Sequence, residues 1–194
     1  TIDGNLMRIA GLLLAAGAGR RFGGRKQLAL IGDKPLVRCT LEALAAVLAE
    51  QPYIVLGAYR ADIRPIVEDI AQVIDHSNWQ KGLGSSIAYG VNTIEARQRY
   101  DGILISLADQ FRLTSDDFNR LIERFDGDRI VAAHYAHSIG VPAIFPSTVF
   151  EQLKQLDADH GAKKLLVEMQ QEIVTVLMPM AKLDIDVVGD IRPY

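Results

Sequence analysis

The stretch Ile9-Ala10-Gly11-Leu12-Leu13-Leu14-Ala15-Ala16-Gly17-Ala18-Gly19-Arg20-Arg21-Phe22-Gly23-Gly24-Arg25-Lys26-Gln27 decides how the rest of the chain is read. Ile9–Ala15 is apolar throughout with one internal glycine, which predicts a strand buried on both faces. Small residues follow, and then Arg20, Arg21, Arg25 and Lys26 place four cations within seven positions. Small residues let the backbone approach a ligand closely, and successive N–H groups can converge on an anion. A polyphosphate accounts for both halves of this composition; a solvated basic turn is the plainer alternative. Two familiar phosphate motifs fail here. The dinucleotide fingerprint needs a small residue where Phe22 stands. The P-loop needs Gly-Lys-Ser/Thr, whereas Gly24 is followed by Arg25-Lys26. Arg8 with the apolar run Ile9–Gly19 superficially resembles a secretory signal, but the run is interrupted by glycines and too short to span a bilayer.

Outward from this stretch, apolar runs alternate with helical patterns. Strands are expected at Tyr53–Leu56, Val73–Asp75, Ile103–Leu107, Ile130–Ala133, Ala143–Phe145, Ile173–Leu177 and Leu183–Asp186. Helices are expected from Pro35, over Asp62–Ile70, from a Ser85 or Ser86 cap, and over Ser115–Phe125, Thr148–Leu156 and Gly161–Gln170. Buried strands separated by helices of about 10 to 15 residues predict an α/β fold: three layers, a mostly parallel sheet with helices on both faces. With no linker, repeat or low-complexity stretch, residues 1–194 read as one domain. Residues 1–6, ahead of Met7, read as a frayed start or an expression-derived extension. In such sheets ligands sit beyond the carboxyl ends of the strands. Three expected strand ends carry polar or glycine-rich sequence: Ala15 onward, Asp109, and Asp184 with Asp186.

Composition narrows the class. Of 194 residues, 49% are hydrophobic and 23% charged, the balance of a globular chain. Twenty-one Lys and Arg against 24 Asp and Glu leave a net charge of −3, so no global electrostatic footprint points to nucleic acid or an anionic membrane. The single cysteine, Cys39, excludes an intrachain disulfide framework and a cysteine-rich zinc site, and suggests a reducing cytoplasm. The four histidines, His76, His134, His137 and His160, show no metal-ligand spacing.

At the first loop a family resemblance becomes specific. Leu14-Ala15-Ala16-Gly17-Ala18-Gly19, Arg21-Phe22-Gly23, Lys26-Gln27-Leu28 and Gly32-Asp33-Lys34-Pro35-Leu36 resemble the signature of the MobA-like nucleotidyltransferases. Within these, the CTP:molybdopterin cytidylyltransferases (the MocA type) are the nearest branch. Further matches span almost the whole chain: Gly82-Leu83-Gly84-Ser85-Ser86, Leu107-Ala108-Asp109-Gln110, Gly140-Val141-Pro142, Asp159-His160-Gly161-Ala162-Lys163 and Asp184-Ile185-Asp186. The sequence departs from the pattern in three places. Ala158 stands for a glycine, Lys163 for a common arginine, and Val187-Val188-Gly189-Asp190 replaces the usual Thr-Pro-Glu-Asp.

The resemblance implies a Rossmann-like nucleotidyltransferase fold and CMP transfer from CTP to the phosphate of molybdenum-bound molybdopterin, with release of pyrophosphate. Arg21 and Lys26 would neutralise the triphosphate, with Arg20 as a further candidate. Leu14, Ala15, Ala16 and Gly17 would hold the nucleotide through their backbone. Gly57, Asn78, Gly84 and Ser85 fall where the family approaches base, ribose or phosphate, although capping explains Ser85 equally. Ala15-Ala16-Gly17 points to cytosine by resemblance only. His160 would approach the pterin, and Trp79 and Phe111 either line its pocket or anchor the core.

A carboxylate directly after a buried strand needs a partner, and Mg2+, a hard cation shared with nucleotide phosphates, suits Asp109. A helix cap or a solvated loop is the alternative. Asp184 and Asp186, two apart, would share one strand face; Asp186 is the favoured ligand by resemblance, with Asp184 second. The implied partners are CTP, the molybdopterin-type substrate and, transiently, a molybdenum hydroxylase apoenzyme. Three other readings stand beside this one: a same-fold transferase using GTP or another phosphorylated acceptor, a non-catalytic molybdenum-cofactor-binding chaperone, and a nicotinamide-dependent reductase on the same scaffold.

Overall fold

The computed structural model describes residues 7–20, 23–135, 137–157, 161–169 and 172–182. Arg21, Asp184 and Asp186, together with Phe22, His160 and the expected closing strand at Leu183–Asp186, lie outside the described residues.

The opening strand β1 is Ile9–Ala15, as its apolar run predicts. Its side chains alternate between two cores because successive strand residues point to opposite faces. Leu12 and Leu14 pack with one cluster, and Leu13 and Ala15 with the other. A two-residue hairpin, β2 (Leu30–Ile31) and β3 (Lys34–Pro35), precedes α1 (Leu36–Ala45). Then follow β4 (Tyr53–Leu56), α2 (Arg60–Val67), β5 (Gln72–Asp75), α3 (Leu83–Arg97), β6 (Gly102–Leu107) and α4 (Ser115–Ile122). The chain continues through β7 (Val131–Tyr135), β8 (Ser138–Pro146), α5 (Phe150–Lys154), α6 (Lys163–Glu168) and β9 (Val174–Leu177).

Seven strands form one sheet in the order β5-β4-β1-β6-β8-β7-β9. β4 and β6 flank β1, and both run parallel to it. β8 is antiparallel to its two neighbours, β6 and β7, and β9 runs parallel to β7. Six strands therefore share a direction and β8 opposes them, which is the mostly parallel α/β architecture expected. One cluster packs Ile87, Val91 and Ile94 of α3 with residues of α5 and α6; the other packs Val37, Leu41 and Leu44 of α1 with residues of α2 and α4.

Three local differences from the sequence reading have physical causes. α3 begins at Leu83, two residues before the expected serine cap, because Gly82 adopts φ 105° and makes the turn by itself. Ser86 instead donates its hydroxyl back to the Gly82 carbonyl. The apolar residues near 130 and 143 belong to one antiparallel hairpin whose turn includes His137 at φ 63°. The segment at 147–154 opens as a 3-10 turn, Ser147–Val149, before α5. Thr114 caps α4 with a reciprocal bond to Asp117, as the Thr-Ser-Asp-Asp sequence suggests.

The chain crosses from β1 to β4 and β5 on one side, then returns through α3 to β6 on the other side of β1. The carboxyl ends of β1 and β6 thus lie at the point where the winding reverses, which is where open α/β sheets bind ligands.

Candidate functional site

Leu14 of β1 is in register with Leu107 of β6, and the ladder extends one step further through the Ala108 N–H, which donates to the Leu14 carbonyl at 3.0 Å. The loop after β1 and the residue after β6 therefore emerge side by side. Between them lies a pocket of about 250 Å³, bordered by Leu14, Ala15, Gly17, Lys26 and Asp109 among others.

Its central contact joins the two predicted halves. Lys26 Nζ donates to Asp109 Oδ2 at 2.7 Å, with the two side chains only 12% and 26% exposed. The loop is folded to deliver that lysine. Gly19 adopts φ 59° and accepts a hydrogen bond from the Gly24 N–H, and a Cβ on Gly19 would approach the Lys26 Cβ to 2.9 Å. Only glycine combines that conformation with that closeness.

The residues on either side of Asp109 are held by side-chain hydrogen bonds. Thr40, fully buried on α1, donates its hydroxyl to the Ala108 carbonyl at 2.9 Å. Gln110, 1% exposed, uses both ends of its amide: Oε1 accepts from Ser106 Oγ and the Leu107 N–H, while Nε2 donates to the Val141 and Ala181 carbonyls. Ser106, the one polar residue in an otherwise apolar strand, is there to meet this glutamine. The backbone that carries Asp109 at the strand end is thereby fixed in place.

Among the described residues, two acceptors at this pocket are buried and unpartnered: Asp109 Oδ1 and Gln27 Oε1. Gln27 donates from Nε2 to the carbonyls of Ala15 (3.1 Å) and Gly17 (2.6 Å), which fixes its amide orientation and leaves Oε1 without a donor. A buried acceptor without a donor is costly, so it marks a place completed by a cation or a hydrogen-bonding ligand. Asp109 suits a hard divalent cation on this ground. Among the described residues no group of three His, Cys, Asp or Glu side chains converges to hold an ion alone.

The remaining predicted residues are placed as follows. Ala16 is buried, and its carbonyl accepts from the Ala58 N–H at the end of β4. Arg20 is exposed. Arg25 turns toward α2, pairing with Asp62 at 3.5 Å and lying over the Tyr59 ring. A Cβ on Gly57 would meet Trp79 at 2.5 Å and the Ala16 carbonyl at 2.8 Å, so this glycine admits the close approach of three chain segments. Asn78 is exposed at the start of the short 3-10 turn Trp79–Lys81. Gly84 is buried in α3, while Leu83 reaches the pocket.

Ser85 faces elsewhere: its hydroxyl is 3.0 Å from His76 Nε2, and it borders a separate cleft of about 400 Å³ with His76, Lys81, Tyr89 and Lys154. Burial, reinforced by Lys81, pushes the His76 pKa below 6.5. Trp79 and Phe111 border neither the Asp109 pocket nor the apolar recess beside it. That recess, of about 290 Å³, shares Leu14, Leu83 and Leu107 with the pocket and extends to Tyr135, Val141 and Lys163. Gln27, Gln110 and Thr40 were not singled out from the sequence. Gln27 and Gln110 each sit beside a charged site candidate inside a quoted motif, and this was the available signal.

Comparison with known proteins places the chain in a family. The model of the MobA-like NTP transferase domain matches residues 11–173. The purine catabolism protein PucB of Bacillus subtilis is 27% identical over 166 residues, 81% of this chain and 80% of that protein. The nicotine blue oxidoreductase of Paenarthrobacter nicotinovorans is 33% identical over 137 residues, 69% of this chain and 65% of that protein. Among solved structures, Rv0371c from Mycobacterium tuberculosis is 26% identical and superposes with a TM-score of 0.82, covering 96% of each chain. A structure of that protein in complex with manganese has a TM-score of 0.76, at 26% identity over 94% of this chain and 95% of the other. With residues 11–173 matched, the chain belongs to the MobA-like NTP transferase domain family of nucleotidyltransferases.

Proposed function

We propose that this chain is a cytidylyltransferase of the MocA type, transferring CMP from CTP to the terminal phosphate of molybdenum-bound molybdopterin. The observation that carries the reading is the meeting of Lys26 and Asp109 in one pocket, beside two buried acceptors that lack partners. An acceptor phosphate oxygen attacks the α-phosphorus of CTP, the bond to the β-phosphate oxygen breaks, and pyrophosphate leaves. No protein nucleophile is required, so positioning and charge compensation carry the reaction.

Leu14–Gly17 hold the nucleotide through the backbone. Lys26, with Arg21 and Arg20, offsets the triphosphate charge. Gly57, Asn78 and Gly84 belong to the nucleotide side, as does the backbone N–H of Ser85, whose hydroxyl turns away to His76. Asp109, with Asp186 or Asp184, would hold Mg2+, which supplies compensation for phosphate charge when bound. That Rv0371c has been solved in complex with manganese favours a divalent ion as the cofactor. The recess walled by Leu14, Leu83 and Leu107 and edged by Lys163 suits a flat heterocycle carrying a phosphate, as a pterin does. Residues 1–194 act as one transferase domain, and a molybdenum hydroxylase apoenzyme receives the product.

The test is pyrophosphate release with Mg2+, each nucleoside triphosphate in turn, and molybdenum-loaded molybdopterin. CTP-selective release is expected, falling about a thousandfold or more in Asp109→Ala with the fold retained. Release with GTP alone overturns the base assignment. Tight pterin binding without release overturns catalysis in favour of a chaperone. A second reading, a nicotinamide-dependent reductase, draws on the oxidoreductase relative; NADH or NADPH oxidation with no pyrophosphate release would establish it instead.

A further inference from the structure

The ammonium of Lys26 stands against the carboxylate that the reading above gives to a divalent ion. Lys26 is mostly enclosed, so its attraction to Asp109 is weakly screened by water. Its Cβ lies close beside Gly19, whereas the ammonium lies at the end of a flexible four-carbon chain. Two features show that the pair is an incomplete arrangement. Asp109 Oδ1 remains buried without a partner even with the lysine in place, and Gln27 Oε1, at the same pocket, is in the same condition. One ammonium satisfies one oxygen and leaves two acceptors bare. A hydrated divalent ion has the charge for Asp109 and water protons for Gln27, but it must first displace a cation already held at 2.7 Å.

We propose that Lys26 is the built-in occupant of a cation subsite made by Asp109 and Gln27, and that nucleotide phosphates open it by drawing the ammonium away. The proposal rests on the nucleotide-and-metal reading above and adds an order to it. In the free chain Lys26 competes with the ion and weakens its binding, and the triphosphate exchanges Lys26 from carboxylate to phosphate. Asp109, with Gln27 beside it, would then be free to hold a divalent ion, which would supply charge compensation for the phosphates. Nucleotide and ion bind synergistically, and by linkage each raises the affinity for the other. Lys26 is thereby a positioning residue for the ion as well as a phosphate contact.

The experiment measures Mn2+ binding by isothermal titration and by the loss of free Mn2+ paramagnetic signal, with thermal unfolding as a second readout. Without any nucleotide, Lys26→Met should bind Mn2+ about tenfold or more tightly than the wild type. Mn2+ should also raise its melting temperature more than that of the wild type. Lys26→Gln, polar and of similar length, should behave as Lys26→Met does, and stands in if the methionine variant does not fold. Adding Asp109→Asn to either variant should abolish the gain. Equal Mn2+ affinity in wild type and both Lys26 variants overturns the proposal, as does a gain that survives Asp109→Asn. These arms use no nucleotide and decide the matter whatever the base preference proves to be. In the wild type, CTP should then lower the Mn2+ dissociation constant, and Mn2+ that of CTP. The same effect from GTP alone would move the base assignment and leave this proposal standing.

Discussion

Two buried glutamines flank the same carboxylate and behave differently. Gln110 closes every bond its amide can readily make, to a hydroxyl, a backbone N–H and two carbonyls drawn from β6, β8 and the turn at Pro179–Lys182. Gln27 closes two at its nitrogen and none at its oxygen. Burial alone does not separate them, since they are 1% and 6% exposed. The state of their bonds does. A saturated buried amide braces the frame, and an unsaturated one at the lining of a pocket waits for something the chain does not supply.

The comparison is sharpened by making the same substitution at both positions. Gln110→Met strips partners from a hydroxyl, an N–H and two carbonyls in the interior, and should lower stability by about 2–4 kcal/mol in urea unfolding. Gln27→Met loses two bonds but also removes an acceptor that is already unpaired. Its stability should change by less than about 1 kcal/mol, while CTP affinity in the presence of Mn2+ should weaken by about tenfold. If the two variants lose stability equally and Gln27→Met binds nucleotide normally, the distinction between brace and waiting acceptor fails.

Much of the frame was legible because periodicity reports it directly. Ile9–Ala15 is a strand buried on both faces, and its unbroken apolar run says so. The meeting of Lys26 and Asp109 was inferable from strand ends at a sheet's switch point, although 83 residues separate them. The glutamines were not legible, since an amide's role depends on which carbonyls the fold brings to it. Neither was the direction of β8, because an apolar run has the same pattern in parallel and antiparallel pairing. Ser85 shows the opposite limit. Its place at the start of a helix suggests an anion contact, yet its hydroxyl turns to His76, which arrives from beyond β5.

His76 extends the comparison to a third buried polar group, one whose surroundings disfavour its charged form. Its ring is 4% exposed, stacks on Tyr89 with centroids 4.6 Å apart, and meets Ser85 Oγ at 3.0 Å. Burial and then Lys81 disfavour its protonation, so its folded pKa lies below 6.5. Above the unfolded pKa the ring is neutral in both states and costs nothing. As pH falls through that value the unfolded chain takes up a proton that the folded chain resists, so stability declines until the folded pKa is passed. The depressed carboxylates Glu42, Glu50 and Asp69 lose their contributions only in more acidic solution, below their unfolded values near 4. Urea unfolding between about pH 7.5 and pH 5.5 should therefore show a fall that is flattened in His76→Gln, and an equal slope in both proteins would remove His76 as its cause. Nucleotide affinity over the same range should follow the wild type in His76→Gln to within about twofold, because the cleft that His76 borders is not the pocket of Lys26 and Asp109.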